Sequence, residues 1–203
     1  MFSENEIATM IDIKSIQEAT QQAKSKFVNK EVELLEISDH DFLSLVMMTP
    51  AIGVALANGS ISLFEELALN KMARKMSKGG YFLKADPVAH AMKYLIGSFD
   101  EWESEFIEVI KICMKATFDL DKLNKLVSVH SEDPIKCFAR DLMNVPYIFV
   151  RFLSTMILND ESDIVDSRNI SQVEFAKIMD LGEKLGLADI PVFQSFGKTF
   201  QVK

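Results

Sequence analysis

Two stretches of this chain share one pattern: an apolar run interrupted by a single proline, a polar turn, and Ile-Ser-x-x-Glu at the start of an amphipathic segment. The first stretch contains Pro50 and then Ser62 to Glu65, and the second contains Pro146 and then Ser171 to Glu174. Ser-x-x-Glu is the capping box, in which the serine hydroxyl accepts from the backbone N–H three residues on and the glutamate accepts from the serine N–H. The pattern therefore predicts where two helices begin.

The two stretches align at an offset of 109 positions, which places Ser62 on Ser171. The alignment pairs Phe64, Leu69, Met72 and Met76 with Val173, Ile178, Leu181 and Leu185. Two explanations stay open, an internal duplication or the independent use of common capping chemistry. Proline removes one helical hydrogen bond and clashes with the preceding turn, so we expect Pro50 and Pro146 to kink or split their helices.

The composition favours long packed helices around one core. The chain has 15 Phe and 11 Met but only 5 Pro and 8 Gly, and 48% of its residues are hydrophobic. We therefore predict an all-α, single-domain helical bundle over residues 1–203 with two pseudo-repeated units of kinked helix and capped helix. The predicted parts are an N-terminal helix or arm (1–30), the first unit (38–80), middle helices (86–130), the second unit (133–186) and a C-terminal segment (189–203).

Local patterns add three further expectations. Apolar spacing predicts one helix over residues 5–27. The pattern from Ser98 to Glu101 predicts a third capping box. Residues 30–37 and 192–202 fit either short strands or helical turns. If both are strands, they would pair as a small terminal β element.

Charge and segment lengths disfavour several classes of partner. The net charge is −8 with a pI near 5.0, and basic residues form no stripe, which argues against nucleic acid. The apolar runs over 42–57 and 145–158 are shorter than the ~20 residues of a membrane span. An acidic N-terminal stretch and two cysteines, Cys113 and Cys137, in apolar contexts are typical of a cytoplasmic protein with reduced thiols.

Motifs of catalysis are missing from the sequence. His40, His90 and His130 are scattered without metal-ligand spacing, and neither a nucleophile elbow nor a phosphate-binding glycine loop occurs. Glu101, Glu105 and Glu108 share a helix face that we expect to be solvated. The sequence thus predicts a protein that is not an enzyme and carries no cofactor.

Two groups of residues are candidates for binding. The loop residues Asp160, Glu161, Asp163 and Asp166 could supply oxygen ligands to a divalent metal ion, and the alternative is a solvated acidic loop. Met47, Met48, Phe149 and Phe152 could line an apolar groove for a partner protein, and the alternative is that they belong to the core.

Two short motifs resemble known families. Residues 57–66, Ala-Asn-Gly-Ser-Ile-Ser and then Glu65 and Glu66, resemble the Asp-Gly-x-Ile-Ser-x-x-Glu turn of the tellurite-resistance TerB-like family, and residues 170–185 repeat its capped helix. The resemblance implies a helical fold of two related halves and an acidic, non-enzymatic stress-response module that binds divalent cations. Asn58 stands where that family has aspartate, which puts the metal role in doubt. Residues 32–50 are similar to the opening of phage tail-assembly chaperones, which are small, acidic, mostly helical proteins that hold another protein's hydrophobic segments.

These observations lead to one functional prediction and one alternative. We predict a non-catalytic interaction protein, an assembly chaperone or scaffold subunit, that presents a Met/Phe-lined apolar surface to another protein. The alternative is a TerB-like module that binds a divalent cation through residues 159–166.

Overall fold

The computed structural model describes residues 1–31, 36–79, 86–126, 133–158 and 164–203. These residues form twelve α-helices and two short β-strands, which confirms the all-α prediction. The helices are α1 (Glu4–Ile11), α2 (Lys14–Glu31), α3 (Asp39–Met47), α4 (Thr49–Leu56), α5 (Leu63–Met76), α6 (Pro87–Gly97), α7 (Phe99–Thr117), α8 (Leu120–Asn124), α9 (Pro134–Leu142), α10 (Tyr147–Ser154), α11 (Gln172–Lys184) and α12 (Pro191–Gly197), and the strands are β1 (Arg168–Ile170) and β2 (Phe200–Val202). In the described part of the chain, every helix is too short or too polar to cross a membrane.

The helices α3 and α4 form the centre of the core. Every residue of α4 from Thr49 to Ala55 is buried, and α3 is buried from His40 to Met47. Pro50 lies in the first turn of α4, where a missing N–H removes no helical hydrogen bond, and α3 ends just before it. Pro146 likewise precedes α10 as its N-cap residue. Pro50 therefore divides its apolar run into α3 and α4, as predicted, whereas Pro146 lies at the start of its run and begins α10 without splitting a helix.

Helix α2 packs on α3 and α7 through a cluster of aromatic rings. The Phe27 ring lies 5.1 Å from Trp102, 5.6 Å from Phe106 and 5.7 Å from Phe42, measured between centroids. The Trp102 indole Nε1 donates to Glu31 at 2.8 Å. Because the rings are buried while the indole N–H keeps a partner, the cluster stabilises this side of the bundle without an unsatisfied donor.

Three of the four glutamates of α7 are paired with lysines of other helices, and Glu108 pairs with Lys111 of α7 itself at 2.6 Å. Glu105 accepts from Lys26 of α2 at 2.8 Å and Glu101 pairs with Lys30. Glu103, which the helix-face argument overlooked, is buried and accepts from Lys177 at 2.7 Å and Lys184 at 3.2 Å. The Glu101 and Glu108 side chains are more than half exposed, as predicted, while Glu101 and Glu105 also form ion pairs with α2. Glu103 connects α7 to α11.

Helix α11 approaches its neighbours closely enough to require glycine. A Cβ added to Gly182 would lie 2.1 Å from the Phe193 ring of α12, and one added to Gly53 of α4 would lie 3.1 Å from the Lys177 stem. Phe193 is fully buried. The α11 helix is therefore wedged between α4, α7 and α12.

The strands form a small parallel pair in which Arg168 lies opposite Phe200 and Ile170 opposite Val202. A minor terminal β element therefore exists, although its partner strand differs from the one we expected. Residues 30–31 belong to α2, residues 32–35 lie outside the described part, and residues 191–197 are helical before β2 begins.

Two local predictions were wrong. The helix expected over residues 5–27 is divided after Ile11 into α1 and α2. Ser98 makes no side-chain cap for α7, because its hydroxyl donates to the Tyr94 carbonyl at 2.9 Å. A capping box that we had not predicted joins Ser3 and Glu6 at the start of α1.

Candidate docking surface

The first predicted capping box sets the start of α5. The Ser62 N–H donates to the Glu65 carboxylate at 2.7 Å, and the Glu65 N–H donates to the Ser62 hydroxyl at 3.3 Å. Gly59 in the preceding turn has φ +83°, a conformation that favours glycine. The turn and the box together hold the first turn of α5 in helical form.

Only the second half of α5 is packed into the protein. The buried residues of this helix are Leu69, Met72, Ala73 and Met76. Residues 61–68, which precede them, are all partly or fully exposed. The first two turns of α5 therefore contain half-buried and exposed residues only, and the Ser62–Glu65 cap determines where they begin.

Three large apolar side chains lie on the exposed face of these two turns. Leu63 is 68% exposed, Phe64 is 84% exposed and Leu67 is 58% exposed. At 3.6 residues per turn they share one face, which is opposite the face that carries Leu69 and Met76. We refer to Leu63, Phe64 and Leu67 as the α5 apolar cluster. Single exposed apolar residues are ordinary, but a contiguous group on a preformed helix is typical of an interaction site.

The start of α11 lies beside the turn that precedes α5. The Ser171 hydroxyl is 3.3 Å from the Asn58 side-chain oxygen, and Ser171 and Glu174 form the second predicted capping box. Val173, which aligns with Phe64, is also exposed, at 48%. The two capped helix starts thus come together at one region of the surface.

Charged side chains of both signs lie near the α5 apolar cluster. Glu66 is exposed beside it, whereas Glu65 is half-buried and accepts from the Ser62 N–H. At 3.6 residues per turn, Lys71 and Arg74 lie on the same face as Leu63 and Leu67, one and two turns after Leu67.

The four residues predicted to line a partner groove are core residues. Met47, Met48, Phe149 and Phe152 are each no more than 1% exposed. The Phe149 and Phe152 rings pack on Phe118 at 5.4 and 5.7 Å. This prediction was wrong because apolar content alone does not distinguish a buried face from an exposed one.

The predicted metal site lies mostly outside the described residues. Asp160, Glu161 and Asp163 fall in the undescribed range 159–163, so their part of the prediction stays a prediction. Asp166 is exposed, and its backbone carbonyl accepts from Arg168 at 2.9 Å. Within the described ranges, three or more potential metal-ligating side chains do not cluster anywhere.

Arg168 also lines a cavity of about 410 Å³ between α4, α11 and the strands. Its guanidinium donates to the carbonyl oxygens of Ile164 and Asp166 at 3.1 and 2.9 Å. The arginine thereby holds the segment before β1 against the sheet.

His40 is buried at a junction of three elements. Its Nε2 lies 3.1 Å from the Glu4 carbonyl oxygen of α1, and its Nδ1 lies 3.4 Å from Asp41 Oδ1. Asp41 Oδ1 also accepts from the Lys78 N–H at 2.9 Å. Burial lowers the pKa of His40, but the hydrogen bonds and the negative charges of Asp41 and Glu4 outweigh burial, so the pKa is raised. His40 and Asp41 thereby connect α1, α3 and the segment that follows α5.

The cysteines occupy packed positions. Burial raises the pKa of the Cys113 thiol to about 12, so this side chain stays protonated at neutral pH. Cys137 is half-buried, and its Sγ lies 4.0 Å from the Asp141 carboxylate, which also accepts from Ser195 of α12. The contacts of Asp141 with Cys137 and Ser195 join α9 to α12. Because its thiol stays protonated, Cys113 lacks the thiolate that a nucleophile requires.

The α5 apolar cluster was missed from sequence although one signal was present. Leu63 and Leu67 fall on the side of α5 opposite its regular apolar stripe. A helix with apolar residues on two opposite faces is either fully buried or exposes one of them. A helical-wheel plot of residues 63–76 places Leu63, Phe64 and Leu67 together as a second apolar face.

Comparison of the chain with protein-family models, with curated proteins and with solved structures gives no match.

Proposed function

We propose that this protein is a non-catalytic interaction protein, an assembly factor or scaffold subunit, that docks a partner protein on the α5 apolar cluster. The observation that carries the proposal is the exposure of Leu63, Phe64 and Leu67 on one face of a capped helix end. Exposed apolar side chains lose contact with water when a partner covers them, which contributes roughly 25 cal/mol per Å² of apolar area.

The helical form of the site supports this proposal. Because the Ser62–Glu65 box fixes the first turn before any partner binds, the side chains of the cluster are already arranged on one face. Preorganisation lowers the entropy that association would otherwise cost. Two groups with acid-base potential, Cys113 and His40, are meanwhile engaged in packing and in hydrogen bonds between helices.

A peptide selection tests the proposal directly. Purified protein would be the bait for a displayed library of helical peptides with a fixed apolar stripe, and Phe64→Ser/Leu67→Ser protein would be the counter-bait. We expect enriched peptides to bind wild type at least about tenfold more tightly than the double variant, as for interface anchor residues.

The matched control is Met143→Ser. Met143 is as exposed as Phe64, at 85% against 84%, but it follows α9. Its substitution should leave the affinity of the enriched peptides unchanged. Absence of enrichment, or enrichment that ignores Phe64 and Leu67 while depending on Met143, would refute docking at the α5 apolar cluster.

A further inference from the structure

We infer that the partner of the α5 apolar cluster is helix α11 of a second copy of this chain, and this inference rests on the proposed docking function. The two helices begin with the same capping box and expose corresponding faces. The middle of the exposed face of α5 carries four residues that we call the α5 seam: Phe64, Leu67, Lys71 and Arg74. At the offset of 109 positions they correspond to four residues that we call the α11 seam: Val173, Ala176, Asp180 and Glu183.

The spacing of both seams suits two helices that lie side by side. Successive members are three, four and three residues apart, a repeat that keeps side chains on one stripe of a helix. When two such helices run parallel and in register, equivalent positions face each other. The facing pairs are then Phe64 with Val173, Leu67 with Ala176, Lys71 with Asp180 and Arg74 with Glu183.

The first two pairs are apolar and complementary in size. Phe64 and Leu67 are 84% and 58% exposed, and Val173 is 48% exposed. Ala176 is also exposed, and its single methyl group leaves room on α11 for the larger Leu67. This end of the contact therefore removes the α5 apolar cluster from water.

The last two pairs bring opposite charges together. Asp180 already accepts from Lys184 of its own helix at 2.8 Å, and its side chain is still 45% exposed. Glu183 and Arg74 are exposed, and within the described part of the chain neither forms an ion pair. These two side chains are therefore available to each other across the contact.

The order of residues along the seams distinguishes this contact from the alternatives. An antiparallel contact of α5 with α11 would place Phe64 against Glu183 and Arg74 against Val173. A parallel contact of α5 with the α5 of a second copy would place Arg74 against Arg74. The parallel contact with α11 instead sets apolar residues against apolar residues and cations against carboxylates, so this chain carries the complement of its own exposed helix.

Both seams start at one region of the surface. The Ser171 hydroxyl at the start of α11 lies 3.3 Å from the Asn58 side-chain oxygen in the turn before α5. A two-fold axis through this region would pair each α5 with the α11 of the other copy, so that the contact forms twice and closes a dimer. The net charge of −8 on each copy opposes association, and the affinity of the dimer therefore depends on these local pairs.

Sedimentation equilibrium of charge-reversal variants tests the inference. Arg74→Glu and Glu183→Arg should each weaken dimerisation of the protein by about tenfold, because each change puts like charges together in both contacts of the dimer. An equimolar mixture of the two variants should dimerise as tightly as wild type, since one contact of the mixed dimer holds the reversed pair and the other holds the original pair. Arg140→Glu, an equal charge change at an exposed position of α9, should leave dimerisation unchanged.

The outcomes separate this inference from the proposed function. A wild-type protein that stays monomeric while selected peptides bind it in a Phe64-dependent way would overturn the second-copy inference and leave docking intact. A Phe64-dependent dimer that the mixture of charge variants fails to restore would overturn the pairing with α11. Phe64-dependent binding to phosphatidylserine vesicles by a protein that stays monomeric would assign the cluster to a membrane and overturn the inference. Loss of Phe64 dependence both in dimerisation and in peptide binding would overturn the inference and the proposed function together.

Discussion

The capped helices α5 and α11 begin with the same hydrogen bonds but differ in what surrounds them. In α11 the first two turns contact other elements: the Phe175 ring lies 6.1 Å from Phe200, and Lys177 pairs with the buried Glu103. In α5 the first two turns instead carry the exposed Leu63, Phe64 and Leu67, although full burial begins at equivalent positions of the two helices, Leu69 and Ile178. The comparison teaches that a capping box determines where a helix starts, whereas the neighbouring elements determine which contacts its first turns make.

The largest expected effect distinguishes the middles of these two helices. Gly182 of α11 aligns with Ala73 of α5, and both are buried. Gly182→Ala should lower the free energy of unfolding by about 3 kcal/mol, because the new Cβ meets the Phe193 ring. Ala73→Gly should cost only about 1 kcal/mol through helix propensity. Urea denaturation measures both, and equal effects would contradict the wedged position of α11.

A second difference is that only the first unit contains a buried histidine. Phe149 of the second unit aligns with His40. Since the pKa of His40 is raised in the folded protein, its contribution is fully present below the ordinary value of about 6.5 and is lost as pH rises through the folded value. His40→Gln should therefore lower stability by about 1.5 kcal/mol at low pH and by less above it.

Denaturation of both proteins from about pH 5.5 to about pH 8.5 would measure this difference. The gap between wild type and His40→Gln should narrow as pH increases. A gap that stays constant or widens with pH would show that protonated His40 does not clamp Glu4 of α1 to Asp41.

A smaller effect compares the two caps themselves. Ser171→Ala should lower the free energy of unfolding by about 1 kcal/mol, because α11 unfolds together with the core. Ser62→Ala should change global stability by only a few tenths of a kcal/mol, since it loosens an exposed helix end. Its effect should instead appear as faster amide exchange over residues 65–68, whose N–H groups make the first hydrogen bonds of the helix. Equal losses of global stability would contradict the free end of α5.

Features set by neighbouring residues could be predicted from the sequence. The two capping boxes and the helix break at Pro50 depend on local hydrogen bonds and sterics, so these predictions were correct. Pro146 begins α10 instead of splitting a helix, because it lies at the very start of its apolar run. Ser98 shows the limit of such reasoning, because its hydroxyl had a second acceptor in Tyr94 one turn earlier. Pattern alone could not choose between that carbonyl and the N–H of Glu101.

Burial depends on contacts between distant parts of the chain, and there the sequence was insufficient. Met47 and Phe149 are as apolar as Phe64, yet only Phe64 is exposed. Glu103 looks like its neighbours in α7 until Lys177 and Lys184 are brought beside it. The sequence could show a second apolar face on α5, but only the fold shows which of the two faces is exposed.

The most direct test is the stability of the triple variant Leu63→Ser/Phe64→Ser/Leu67→Ser. If these side chains form a docking surface and do not belong to the core, the free energy of unfolding of the triple variant should stay within about 0.5 kcal/mol of wild type, as for exposed positions. Leu69→Ala in the same helix should lower it by about 2 to 5 kcal/mol. A triple variant destabilised as strongly as Leu69→Ala would show that the cluster belongs to the core and would contradict the docking account.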